Sequence, residues 1–146
     1  MTTTSDHGAF ADRAARDRSA VDRRPVLVLS GWTMFVWTTR IRNIWTDDGL
    51  ELSAQIGRTA LALAFTILAV VAVVGWWRER AGHAWTWARR WMTAFAAFTI
   101  AVWTVRGVQI ALADHEVAFI VVHSVLAVVS IVLAVWAWRS SDAAHR

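Results

Sequence analysis

A chain of 146 residues that is 57% hydrophobic, with mean hydropathy +0.42, is too apolar for an ordinary soluble domain and typical of a small polytopic membrane protein. It has no cysteine, which excludes disulfides, thiolate metal sites and a cysteine nucleophile. Its 15 basic residues are all arginine, against 11 acids; membrane topology accounts for that many, so the charge gives no reason to expect a nucleic-acid partner.

Residues 1–24 are polar, with five arginines against four aspartates. They are expected to form a cytoplasmic tail, and no secretory signal is read there because the first apolar run begins only at Pro25. A membrane span needs about 20 mostly apolar residues. The first segment, Val26 to Trp45, opens with the charge-free stretch VLVLSGWTMFVWTT and reaches that length only with Arg40, Arg42 and Asn43 included. A full span is expected, because arginine can snorkel its head group to the interface; the rival is a short re-entrant or interfacial segment. The second segment, Thr59 to Trp77, has no charge; the third, Trp91 to Ala113, has one, Arg106; the fourth, Val117 to Trp138, is interrupted only by His123.

The expected fold is therefore all-α: a four-transmembrane-helix bundle over residues 25–139, between cytoplasmic tails at 1–24 and 140–146. Asp114 suits the N-cap of the last helix, and Glu116 is expected in its first turn, where a carboxylate suits the helix dipole. No internal repeat and no Gly-xxx-Gly pair is read in the spans.

Arginine placement sets the orientation. With the N-terminus inside, Arg13, Arg16, Arg18, Arg23, Arg24, Arg78, Arg80, Arg89, Arg90, Arg139 and Arg146 are cytoplasmic, and Arg40, Arg42, Arg58 and Arg106 lie outside. Eleven against four predicts both termini in the cytoplasm. Tryptophans favour the headgroup level. Trp76, Trp77, Trp85, Trp87, Trp91, Trp136 and Trp138 are expected at the cytoplasmic interface, and Trp37, Trp45 and Trp103 nearer the outer one.

Helical spacing lines up the polar residues. Glu116, His123 and Ser130 share one face of the fourth segment; Thr99, Trp103, Arg106 and Gln109 recur at threes and fours in the third; Gln55, Thr59 and Thr66 do so in the second. In the first, Arg40 and Asn43 share a face, while Arg42 lies about 200° away from Arg40. Turning these stripes inward avoids polar groups in lipid. It would gather Arg40, Asn43, Arg106, Gln109, Glu116 and His123 near the outer surface, with Asp114 and His115 at the mouth. Arg40 is expected to pair with Glu116 or Asp114, and Arg42 to reach the headgroups. Such a cluster can simply hold helices in register. It can also form a polar pocket serving transport or proton movement, or bind lipid headgroups, since paired arginines match phosphate.

A haem on His123 would need Met34, Met92 or another subunit for its second ligand, so the bland reading, a hydrogen-bonded histidine and no cofactor, is preferred. No nucleophile elbow, phosphate loop, HExxH or catalytic carboxylate pair is present, and no metal site is read. The chain is thus expected to be a non-enzymatic accessory or scaffold subunit of the bilayer, partnered by other membrane subunits or itself. The alternatives are a small transporter or channel component and a haem-bearing redox subunit.

The stretches WTMFVWTTRIRNIW (residues 32–45) and VRGVQIALADHEVAFIVVHSVLAVVSI (105–131) together resemble a family of small four-span membrane proteins of actinobacteria with no assigned activity. The likeness covers about a third of the chain and implies a bacterial plasma-membrane location. It transfers no functional residue.

Overall fold

The computed structural model describes residues 24–46, 49, 51–83, 86–113 and 116–143. Among them the chain is all-α, with four helices: α1 (Arg24–Trp45), α2 (Leu52–Arg80), α3 (Ala88–Leu112) and α4 (Val117–Ala143). Three of these, α2, α3 and α4, are long and apolar enough to cross a membrane. α1 has 22 residues, about 33 Å of helix, so it has the length; Arg40, Arg42 and Asn43 keep its composition below the same mark. The helices overrun the apolar runs. α2 begins before Thr59, and α4 continues to Ala143, so residues 140–143 of the expected C-terminal tail are helical.

Local chemistry fixes the ends. Pro25 lies in the first turn of α1, where its missing N–H costs nothing. α2 stops at Gly82, whose φ of 84° only glycine adopts freely. There the N–H of Gly82 donates to the Glu79 carbonyl and that of His83 to the Arg78 carbonyl, the paired closure of a Schellman turn. Glu116 is not in the first turn of α4 as expected. It sits just ahead of the helix, its carbonyl accepting from the Ile120 N–H. Asp114 and His115 lie outside the described residues.

α1 packs closely on α2 and α3 on α4, and the two hairpins join mainly along α1 and α4, with α2 and α3 meeting more sparsely. The hairpins are copies of one pattern. TMFVWTTRIRNI (33–44) and TIAVWTVRGVQI (99–110) agree at Thr, Val, Trp, Thr, Arg and Ile, and Asn43 aligns with Gln109. One residue out of step with that, LALAFTILAVVA (61–72) and LAVVSIVLAVWA (126–137) agree at Leu, Ala, Leu, Ala, Val and Ala.

Burial follows the repeat. Val26, Leu29, Ser30, Thr33, Trp37 and Ile44 of α1 are buried, and so are their counterparts Met92, Phe95, Ala96, Thr99, Trp103 and Ile110 of α3. Ala62, Phe65, Ala69 and Ala72 of α2 match buried Ala127, Ser130, Ala134 and Ala137 of α4. The expectation of no internal repeat is thus corrected. Apart from Phe65, the buried positions that α2 and α4 share are small residues at heptad spacing, which lets each hairpin close tightly against the larger side chains of α1 and α3.

Contacts repeat as well. Trp32 donates from Nε1 to Ser130 Oγ at 2.9 Å. The counterparts of those residues, Phe98 and Phe65, meet as rings at 4.8 Å. The repeat thus uses one seam position twice, polar between α1 and α4 and aromatic between α2 and α3. Phe65 also stacks on Trp37 at 4.3 Å. Trp37 and Trp103, expected near an interface, are core residues, 6% and 8% exposed. Trp91 is half-buried and donates to the Leu68 carbonyl at 3.2 Å. Trp45 is exposed.

Candidate functional site

Each helix carries one basic residue five or six positions from its end at the α1–α2 and α3–α4 connections: Arg40, Arg58, Arg106 and His123. At 1.5 Å per residue they lie at one level, about 8–9 Å inside the bundle. Arg40 continues the buried face of α1 between Trp37 and Ile44. Arg106 does the same in α3 between Trp103 and Ile110, and both are half-buried. Arg42, on the far side of α1, is exposed as the spacing predicts.

A cavity of about 210 Å³ opens at this level. Its lining contains three repeat-related pairs, Val36 with Val102, Trp37 with Trp103, and Arg40 with Arg106, together with Asn43 and His123. The cavity therefore straddles the junction between the two hairpins, and no carboxylate among the described residues lines it. Of the eight residues expected to cluster, Arg40, Asn43, Arg106 and His123 come together. Gln109 and Glu116 are exposed and line no part of the cavity; Asp114 and His115 are outside the described residues.

Of the two partners expected for Arg40, Asp114 lies outside the described residues and Glu116 is not its partner. Arg40 Nη1 lies 3.3 Å from His123 Nε2. Glu116 stands seven residues before His123, about 10 Å nearer the helix end, and is too high to reach Arg40. His123 Nδ1 is 2.9 Å from the Phe119 carbonyl, which can only accept, so Nδ1 carries the proton. Nε2 is then the acceptor of a neutral ring, the one form that receives a guanidinium N–H. Phe119 also packs on the imidazole, ring centres 3.8 Å apart. Both ring nitrogens of His123 are thus engaged within the chain, and Met92 lies toward the opposite end of the bundle.

At the equivalent position of the other seam stands Arg58 instead of histidine. It cannot accept from Arg106, and its charge acts on both Arg106 and Arg40. Three like charges thus converge on the level of the cavity. Arg106 makes no hydrogen bond or ion pair among the described residues. Its five N–H donors form a half-buried cation with no counter-ion among the described residues, an arrangement that costs stability unless something else supplies negative charge.

Removing either side of the Arg40–His123 contact should reveal coupling. The single Arg40→Ala change both loses the hydrogen bond and relieves repulsion from Arg106 and Arg58, so its net effect is small. A double-mutant cycle with His123→Ala isolates the bond. We expect a coupling of about 0.5–1 kcal/mol, the usual range for polar contacts between membrane helices. The same cycle using exposed Arg42 in place of Arg40 should give zero within error. Equal coupling for both arginines would show that the contact is not formed.

The fold and site define a helical bundle of membrane-protein character with a basic cavity between two hairpin repeats. Compared with known proteins, the chain matches no family model, no curated protein and no solved structure.

Proposed function

We propose that this is an integral protein of a bacterial plasma membrane, with all four helices spanning and both termini cytoplasmic. Its role is that of a non-enzymatic accessory subunit that holds an oxyanion between its two repeats. The orientation rests on the arginine asymmetry, and the bacterial assignment on the likeness to small actinobacterial four-span proteins. The site reading rests on one observation: Arg40 and Arg106, repeat-related, line a single cavity with Asn43 and His123 and with no acid among the described residues. Guanidinium groups match the oxygens of phosphate in a planar fork, and in membrane proteins built from repeats the repeat interface is where ligands commonly sit.

The purified protein in a neutral maltoside detergent tests this. Inorganic phosphate should raise the melting temperature in a saturable way, since a ligand bound only to the folded state stabilises it by mass action. Equal ionic strength of chloride should not reproduce the rise. No difference between the two salts would refute an oxyanion site.

A second reading, a small transporter component, is favoured by the Arg40–His123 contact. Protonating His123 replaces its acceptor with a donor and releases Arg40, which would link proton and anion occupancy. Phosphate flux in proteoliposomes holding the protein alone would establish this reading over the accessory one.

A further inference from the structure

The cavity is polar at one end only. Arg40, Asn43, Arg106 and His123 form the end nearer the α1–α2 and α3–α4 connections, and its deeper wall is Phe35, Val36, Val102 and Leu126. Along the helix axes Phe35 lies five residues deeper than Arg40, Val102 four deeper than Arg106, and Leu126 three deeper than His123. The apolar arm therefore extends about 5–8 Å from the basic level toward the middle of the bundle. On the flank, Phe35 is 62% and Val122 55% exposed, so the cavity wall reaches the surface of α1 and α4 that faces lipid in a spanning bundle.

We propose that the ligand is a phosphate-headed amphiphile. The headgroup lies between Arg40 and Arg106, the first carbons of the chain fill the apolar arm, and the remainder leaves past Phe35 and Val122 into the bilayer. This rests on the oxyanion reading and goes beyond it, because a free phosphate ion would leave the arm empty. The fit is directional. Head toward the connections and chain toward the bundle centre is the polarity of a lipid in the adjoining leaflet. The volume agrees: about 210 Å³ is roughly seven waters' worth, enough for a headgroup and a few carbons but not for a whole lipid. The flank also accounts for entry without passage across the polar connections.

Three probes separate the possibilities in neutral maltoside micelles: inorganic phosphate, dodecyl phosphate, and dodecyl phosphocholine, whose headgroup has no net charge. Binding is read by thermal shift and by native mass spectrometry. Dodecyl phosphate should bind at one per chain, at least about tenfold more tightly than inorganic phosphate, a factor that a few buried CH₂ groups readily supply. The phosphocholine should bind weakly. Leu126→Phe or Val102→Phe, either of which narrows the arm, should reduce dodecyl phosphate binding while leaving inorganic phosphate unchanged. Equal affinity for inorganic and dodecyl phosphate would overturn the amphiphile and leave the oxyanion site standing, and the wild-type protein alone decides this should the narrowed variants fail to fold. Binding of neither would overturn both.

Discussion

Replacing Arg106 by leucine is expected to raise the melting temperature of the ligand-free protein. The side chain is half-buried, makes no hydrogen bond or ion pair among the described residues, and sits near the like charges of Arg40 and Arg58. Leucine keeps the apolar stem and removes a charge that no acid among the described residues compensates. Replacing buried charges with apolar groups of similar volume is often stabilising by about 1–4 kcal/mol; with Arg106 only half-buried, about 1–2 kcal/mol is expected here. The same change should weaken phosphate binding about tenfold or more, because a hydrogen bond to a charged group contributes about 1.5–3 kcal/mol. Arg106→Lys separates the two effects: it keeps the charge, so the melting temperature stays put, while affinity falls because the planar fork is lost. Stability lost for binding gained is the mark of a functional residue. A fall in melting temperature for Arg106→Leu would mean that Arg106 holds the bundle together.

Phe65→Ala should be the most destabilising single change in the core. Phe65 is fully buried, stacks on Trp37 of α1 and meets Phe98 of α3, so it ties three helices at one point. Its contact with Phe98 belongs to the sparsely packed seam between α2 and α3, which has little else to replace it. In soluble proteins such a truncation costs about 3–5 kcal/mol. Within a bilayer the transfer part shrinks, since lipid is as apolar as the core, while lost dispersion contacts and the aromatic pairs remain. A loss of about 2–3 kcal/mol in mixed-micelle unfolding is expected. Val74→Ala, on an exposed position of α2, should change stability by under about 0.5 kcal/mol. Similar values for the two would contradict the core described here.

Hydrophobic run length made three helices long and apolar enough to cross a membrane legible from sequence, because a bilayer demands about 20 apolar residues and little else meets that demand. The contrast between Arg40 and Arg42 was legible too, from the 100° step of a helix. The partner of Arg40 was not. Charge complementarity pointed to Glu116 or Asp114, the latter outside the described residues, whereas counting residues from the helix ends places His123, not Glu116, level with Arg40. The burial of Trp37 and Trp103 was not legible from a belt argument, which uses depth alone. Their helical faces, shared with Thr33 and Ile44 and with Thr99 and Ile110, put them in the core.

The repeat is hard to read in the sequence for a related reason. Its identities are scattered at helical spacing, and the register slips by one residue between the first and second helix of each hairpin. Only the burial pattern makes the correspondence continuous. Once it is seen, Arg40 and Arg106 become a pair, and the histidine-for-arginine exchange between His123 and Arg58 explains why one is hydrogen-bonded and the other is not.

The contact between oxyanion and arginine can be observed directly by solid-state NMR, recoupling the phosphorus of bound inorganic phosphate to arginine side-chain nitrogens in lipid-reconstituted protein. With both guanidiniums donating, phosphorus and nitrogen should lie within about 4 Å. The account predicts dephasing of arginine side-chain nitrogen signals in the wild type and its loss in the Arg40→Gln, Arg106→Leu double variant. Dephasing that survives both replacements would place the phosphate on other arginines and contradict a site between the repeats.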